Sequence, residues 1–387
     1  MKKNRNLTLL YLHSIFFELS DSMLALALPI FIYQLYGSIT AVFIFQLAWT
    51  LIDAVIFIPV FNLGMHLKNP KYFMALGVIF YVISLYFFGK TSSEDTSYMI
   101  PATIFFSLYV SFYWLIRHWF FSLNSDHEKM GKQVSSMNLI MLLMGFVGPI
   151  LAGILSKFAS FNITFLFGAF FAVLGIVPIL FFHAPAHPRQ YGFKKVLKIL
   201  GKPELKLIRI THFWDGFDYN FSGIGWLLAF TIFVGSILDL GLLVGLSTLL
   251  ILLANWGIGK WFDARKRKEA LNKTTAFHVT TTFLLSTTFF FPSLTYAWAV
   301  GFLNQLSGVA SSTVNEAYLY ALSSKIHPIH FHLNREIYMT MGRIISSGGL
   351  AIAFYFLPNT YLWLAIALGS FFLLGRLLVK RVDHLLD

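Results

Sequence analysis

Long apolar runs, each closed by a short polar or charged segment, repeat along this chain of 387 residues. They fall at 7–35, 39–63, 72–89, 98–122, 136–157, 161–183, 207–235, 239–262, 272–291, 294–322, 336–357 and 359–379. Each approaches or exceeds the ~20 residues with which an α-helix crosses a bilayer. The longer ones predict tilted helices. Strict alternation of apolar and polar residues, the mark of a barrel strand, is absent, and backbone polar groups in hydrocarbon must be paired within the segment. The pattern predicts an all-α membrane protein with twelve transmembrane helices. The longest polar connection, 184–206, divides it into six spans over 1–183 and six over 207–387.

Composition supports lipid as the solvent. Hydrophobic residues make up 57% and charged residues only 12%, about half the charge of a soluble domain. The net charge of +12 does not point to nucleic acid, because the basic residues sit in the short segments between apolar runs. Placing the N-terminus in the cytoplasm puts 25 of the 29 lysines and arginines on that side. This orientation satisfies the retention of basic loops in the cytoplasm. Both termini are therefore expected inside, in a bacterial inner (plasma) membrane. The N-terminal MKKNR and the Ala25-Leu26-Ala27 triplet resemble a signal peptide, but Glu18 and Asp21 interrupt its apolar stretch. An uncleaved first helix is expected instead. Without cysteine, the chain has no disulfide and no thiolate metal site, and no cofactor or metal is expected. In the linker, Tyr191–Leu200 alternates basic and apolar residues at helical spacing. It reads either as a helix lying on the anionic inner leaflet or as a plain connection.

The two halves share an order of features. The first span carries Phe17-Glu18-Leu19-Ser20-Asp21 and the seventh Trp214-Asp215-Gly216-Phe217-Asp218. Gly37 follows the first set and Gly235 the second. The fifth span contains Gly145 and Gly148, and the eleventh Gly342, Gly348 and Gly349. After the eighth span stands Gly257-Ile258-Gly259-Lys260-Trp261-Phe262-Asp263-Ala264-Arg265-Lys266-Arg267. This resembles the loop signature of the major facilitator superfamily, a glycine, an aspartate and then basic residues. The first-half counterpart, Gly64 to Lys71, lacks the aspartate. Gly145-Phe146-Val147-Gly148-Pro149, with Gly153 beyond it, resembles the glycine-proline signature of that family's proton antiporters, and reads equally as small-residue helix packing. The resemblance implies two pseudo-symmetric six-helix bundles. It implies a cytoplasmic gate at Gly259, Asp263, Arg265 and Arg267, and a central cavity lined by the first, fourth, seventh and tenth spans.

Ionisable residues inside spans are costly, about 2.5–3.5 kcal/mol at a helix centre, and mark candidate sites. Asp21 and Asp218 fall near mid-span. Glu18 and Asp215 lie one turn nearer the cytoplasm on the same faces, since i and i+3 coincide. Arg117, Glu316, Arg343 and Asp53 also lie in the inner halves of their spans. Two readings stay open. These groups form a polar cavity that holds protons or substrate, or they form ion pairs such as Glu18 with Arg117 and Glu316 with Arg343. Trp114, Trp214 and Tyr219 lie beside the charges and either stack on an organic cation or serve packing. His13, His118 and His212 either relay protons or are bonded core residues. The count of acids tilts the expected solute toward neutral or cationic.

The function expected is a monomeric secondary transporter, with a small organic solute and protons as its partners and export favoured by the fifth-span signature. Two alternatives remain. One is a membrane enzyme using the acid pairs of the first and seventh spans, although Mg²⁺ sites of that kind need water and phosphate. The other is a receptor or scaffold on a transporter fold. No Walker motif is present, which excludes an ATP-driven pump within this chain.

Overall fold

The computed structural model describes residues 2–66, 71–125, 130–183, 193–202, 205–263, 267–325 and 328–378. Every regular element among them is helical. In chain order these are α1 (Lys2–Tyr36), α2 (Ile39–His66), α3 (Lys71–Lys90), α4 (Met99–Asn124), α5 (Met130–Phe158), α6 (Phe161–Leu180), α7 (Phe193–Leu200), α8 (Lys206–Asp218), α9 (Gly225–Phe233), α10 (Ile237–Asp263), α11 (Arg267–Ser286), α12 (Leu294–Lys325), α13 (Pro328–Phe356) and α14 (Leu362–Phe372).

Local chemistry sets the helix ends. Gly37 takes a positive φ of 63° and donates its N–H to the Tyr33 carbonyl at 2.7 Å, the left-handed stop that glycine permits. Ser160 caps α6 by accepting from the Ile163 N–H at 3.2 Å. Before α10, the Ser236 N–H donates to Asp239 Oδ2 at 2.8 Å and the Asp239 N–H donates to Ser236 Oγ at 3.3 Å. This reciprocal box closes the exposed donors of the first turn.

Among the described residues, eight helices are long and apolar enough to cross a membrane. Six of these are α1 to α6, and the other two lie over 330–356 and 359–378. The later part of the chain is more polar. α11 contains several threonines, and Thr274 and Thr281 return their hydroxyl protons to the carbonyls of Ala270 and Phe277 at 2.8 and 3.1 Å. Such bonds let a hydroxyl lie in an apolar setting. The run at 207–235 is not one regular helix. α8 and α9 are joined through Tyr219–Ile224, where the backbone widens into a π-type turn.

α1 packs on α5 and α6, α3 on α4 and α6, and α2 on α4. Further along the chain, α8 packs on α13, α10 on α12, and α11 on α12 and α14. Two long contacts join the earlier helices to the later ones, α5 along α10 and α2 along α13. Bulky apolar side chains such as Val55, Phe170, Ile352 and Phe356 face outward, as a lipid-facing surface requires.

α7 resolves the two readings of the linker in a third way. It is a helix, but its apolar residues Val196 and Ile199 are buried in the protein, where α7 meets α13. Arg209 closes its C-terminus, donating to the carbonyl oxygens of Leu200 and, at 2.9 Å, Lys202. A cation there complements the helix dipole.

Candidate functional site

Charged residues meet in the interior where α1, α4, α8 and α13 approach. Glu18 on α1 and Arg117 on α4 form a buried ion pair, with side chains 9% and 6% exposed. Arg117 also reaches Ser14 Oγ at 3.5 Å, and its guanidinium lies 5.1 Å from the Trp114 ring. Ser14 and Glu18 share one face of α1 because they are four residues apart.

The corresponding acid of the later half has an unforeseen partner. Asp215 on α8 accepts from Arg376 Nε at 2.9 Å, and Arg376 Nη1 donates to Ser311 Oγ at 3.1 Å. Sequence reasoning counted Arg376 with the C-terminal tail. Its residue lies just past α14, in a last turn that folds against α8 and brings the guanidinium inside. This weakens the tilt toward a cationic solute, because two of the four paired acids already carry a cation.

Asp21 is half-buried and accepts from Tyr109 Oη at 3.4 Å. Asp218 is buried and accepts from Ser222 Oγ. Neither makes an ion pair among the described residues. Arg343 lies over the rings of Tyr219 and Trp49, 5.0 and 5.7 Å from their centroids, and makes no ion pair among the described residues. Its expected partner Glu316 belongs to α12, but the Glu316 side chain lies outside the described residues. Sequence reasoning placed Asp53 in the inner half of its span and gave it no partner. It is 2% exposed and ties three helices, accepting from Ser111 on α4 and, at 3.2 Å, from Thr340 on α13. The signal was present, a lone acid in a strongly apolar span.

The aromatic and histidine candidates separate. Trp114 stays at the site, but Trp214 stacks on Phe372 at 5.2 Å with an interplanar angle of 7°. It is a packing residue of the α8–α14 contact, not a platform for a cation. His13 Nδ1 is 2.8 Å from the Gly175 carbonyl oxygen and Nε2 is 2.8 Å from Tyr113 Oη. A carbonyl only accepts, so Nδ1 carries the proton and Nε2 accepts from the tyrosine. His13 is thus a bonded core residue. His118 stacks on His332 of α13, with ring centroids 5.3 Å apart. His212 is buried with neither ring nitrogen hydrogen-bonded.

Three adjoining cavities run between these groups. The largest, about 530 Å³, is bordered by Ser22, Tyr219, Ser222, Trp226, Asn304 and Gln305 among others. A second, about 240 Å³, is lined by Trp114, Arg117, His118, Arg335, Glu336 and Arg343, and shares Asn138 and Met141 with the first. A third, about 180 Å³, contains His212, Asp215 and Arg376 and shares Arg335 and Met339 with the second. Asp21 and Asp218 border none of the three; their neighbours Ser22 and Tyr219 do.

The fifth-span glycines form a seam. A Cβ at Gly148 would strike Ser22 of α1, and one at Gly153 would come 3.0 Å from the Ile237 carbonyl of α10. Gly241 of α10 lies against the Pro149 carbonyl, and Gly145 faces Thr248 at 3.6 Å. Helix packing accounts for all four signature positions. Of the expected gate, Gly259 and Asp263 fall in the last turns of α10 and Arg267 opens α11. Their side chains, and Arg265 altogether, lie outside the described residues.

A helical chain with ion pairs inside its apolar interior and cavities between two sets of helices fits a membrane transporter. The family model for the Major Facilitator Superfamily matches residues 10–347, and the chain belongs to that family. Membership sets aside the enzyme reading. Among solved structures, the chain is similar to a POT family transporter in complex with a thioalcohol-conjugated peptide, with TM-score 0.75 and 10% identity over 96% of this chain and 95% of that one. It is also similar to the human organic anion transporter MFSD10 (TETRAN), with TM-score 0.68 and 14% identity over 100% of both chains. At such identities the likeness is one of fold. No curated protein sequence matches it.

Proposed function

We propose that the protein is a monomeric, proton-coupled secondary transporter that moves a small organic solute across the inner membrane by alternating access. The observation that carries this reading is the set of cavities between the earlier and later helices, flanked by the Glu18–Arg117 and Asp215–Arg376 pairs. Twelve spans in two six-helix bundles, 1–183 and 207–387 joined by 184–206, accommodate it. α8 with α9 then counts as one span, and α7 lies outside the bilayer. Alternating access moves two such units about a site near the bilayer midplane.

At one end of the α5–α10 and α2–α13 contacts Gly153 meets Ile237, and Phe43 stacks on Phe354 at 6.0 Å. With both termini cytoplasmic, as the basic loops favour, that end is external. In the outward-facing state Asp263, with Gly259, Arg265 and Arg267, latches the inner side. The fifth-span seam leaves direction to its likeness to antiporters, which favours export.

Asp21 and Asp218 are the proposed coupling carboxylates, because each lies one turn from an acid already neutralised by arginine. The balance of inward- and outward-facing states should then depend on pH. Spin labels at Tyr72→Cys and Lys206→Cys, on helix ends at the inner side, report it as a change in distance distribution. Asp21→Asn together with Asp218→Asn should remove the pH response while leaving both distances populated. A double variant with the wild-type response would contradict the assignment.

A further inference from the structure

Arg343 is an interior guanidinium that makes no ion pair among the described residues. An unpaired charge inside a span is expensive, and a structural arginine at such a site is ordinarily paired. Two other interior arginines show the contrast: Arg117 is bonded to Glu18 and Arg376 to Asp215. Arg343 Nε is buried and has no hydrogen-bond acceptor. The group is nonetheless held in place, since the rings of Tyr219 and Trp49 lie 5.0 and 5.7 Å from it. A planar cation held by aromatic faces presents its forked N–H edge to whatever enters the cavity.

The wall of that cavity carries the guanidinium groups of Arg117, Arg335 and Arg343 together with the carboxyl group of Glu336. Glu18 is bonded to Arg117, and Glu336 lies within electrostatic reach of Arg335 and Arg343. Asp53 lies within electrostatic reach of Arg343, but it accepts from Ser111 and Thr340 and does not border the cavity. The rest of the wall is apolar, with Phe121, Met137, Met141 and Met339. Met141 also borders the central cavity, beside Leu142 and Val244.

We propose that Arg343 binds the carboxylate of an organic acid whose apolar body extends past Met141 into the central cavity. The proposal rests on the transporter reading and names the solute class of that site. It reverses the sequence's tilt toward a neutral or cationic solute, which rested on the count of acids. A bidentate guanidinium–carboxylate contact supplies both energy and orientation, and the methionines adapt to differing apolar bodies.

The test uses purified full-length protein in lipid nanodiscs and three probes on one skeleton: 2-naphthoate, 2-naphthamide and 2-naphthylmethylammonium. Equilibrium dialysis should find the carboxylate bound at least about tenfold more tightly than the amide, a difference of ~1.4 kcal/mol, with the ammonium form weakest. Arg343→Gln should abolish the preference of carboxylate over amide. Glu336→Gln, which removes a competing acid, should tighten naphthoate binding. This second variant keeps the test decisive if Arg343→Gln misfolds. A preference for the ammonium probe, equal binding of all three, or binding of none overturns the proposal. So does a preference for carboxylate that survives Arg343→Gln, or looser naphthoate binding in Glu336→Gln. None of these outcomes touches alternating access itself, which the label distances measure without any added solute.

Discussion

Arg117→Met is expected to destabilise the protein by about 3–5 kcal/mol, the cost of leaving one member of a buried ion pair without its partner. Glu18 would then be an isolated carboxylate between α1 and α4, with its side chain 9% exposed. The second substitution, Glu18→Gln, removes that charge and should recover most of the loss. Thermal denaturation of the single and double variants in the same detergent reads both effects. The recovery separates lost pairing from lost packing around Trp114 and Met137. If the double variant is less stable than Arg117→Met alone, Glu18 is not the group left stranded, and the pair does not have the role given to it.

Gly342→Val is expected to have a comparable effect through sterics alone. α8 and α13 cross where Gly216 and Gly342 meet. A Cβ at Gly216 would collide with the Met339 carbonyl oxygen, and one at Gly342 with the Phe213 carbonyl oxygen. Both obstacles are backbone, so no side-chain rotation relieves them. The loss should exceed the roughly 1–3 kcal/mol of ordinary core overpacking, and α8 should separate from α13. Size-exclusion chromatography of the variant should then show aggregated rather than monodisperse protein. Gly349→Val, on the same helix with nothing near its Cβ, should behave as wild type. Equal behaviour of the two variants would contradict the crossing.

Several of these features were legible in the sequence. The apolar runs placed most helices, because hydrocarbon forces each span to satisfy its own backbone. The i, i+3 acid pairs marked the polar interior, and a Glu18–Arg117 ion pair was one of the two readings left open. Other features depended on tertiary geometry. Arg376 read as a cytoplasmic charge because hydropathy cannot tell a charge at a helix end from one folded back under it. Trp214 read as a cavity residue from its neighbour Asp215, yet adjacent helical residues point about 100° apart, and Trp214 turns to Phe372. The fifth-span glycines read as either signature or packing, and the positions of Ser22, Ile237 and Gly241 supply the packing partners. The widened turn at Tyr219–Ile224 has no sequence signal beyond Gly223 and Gly225, and it brings Tyr219 beneath Arg343.

Alternating access is the central claim, and the absence of native cysteine permits a direct measurement of it. One pair of spin labels at Phe158→Cys and Phe356→Cys reports the outer ends of α5 and α13. A second pair at Tyr72→Cys and Lys206→Cys reports the inner ends of α3 and α8. Distances are measured by pulsed electron resonance in nanodiscs, in acidic and in alkaline buffer. The account predicts two populations at each pair, with the outer distance lengthening as the inner one shortens. A single fixed distance at both pairs in every buffer, or two distances that change in the same sense, would contradict it.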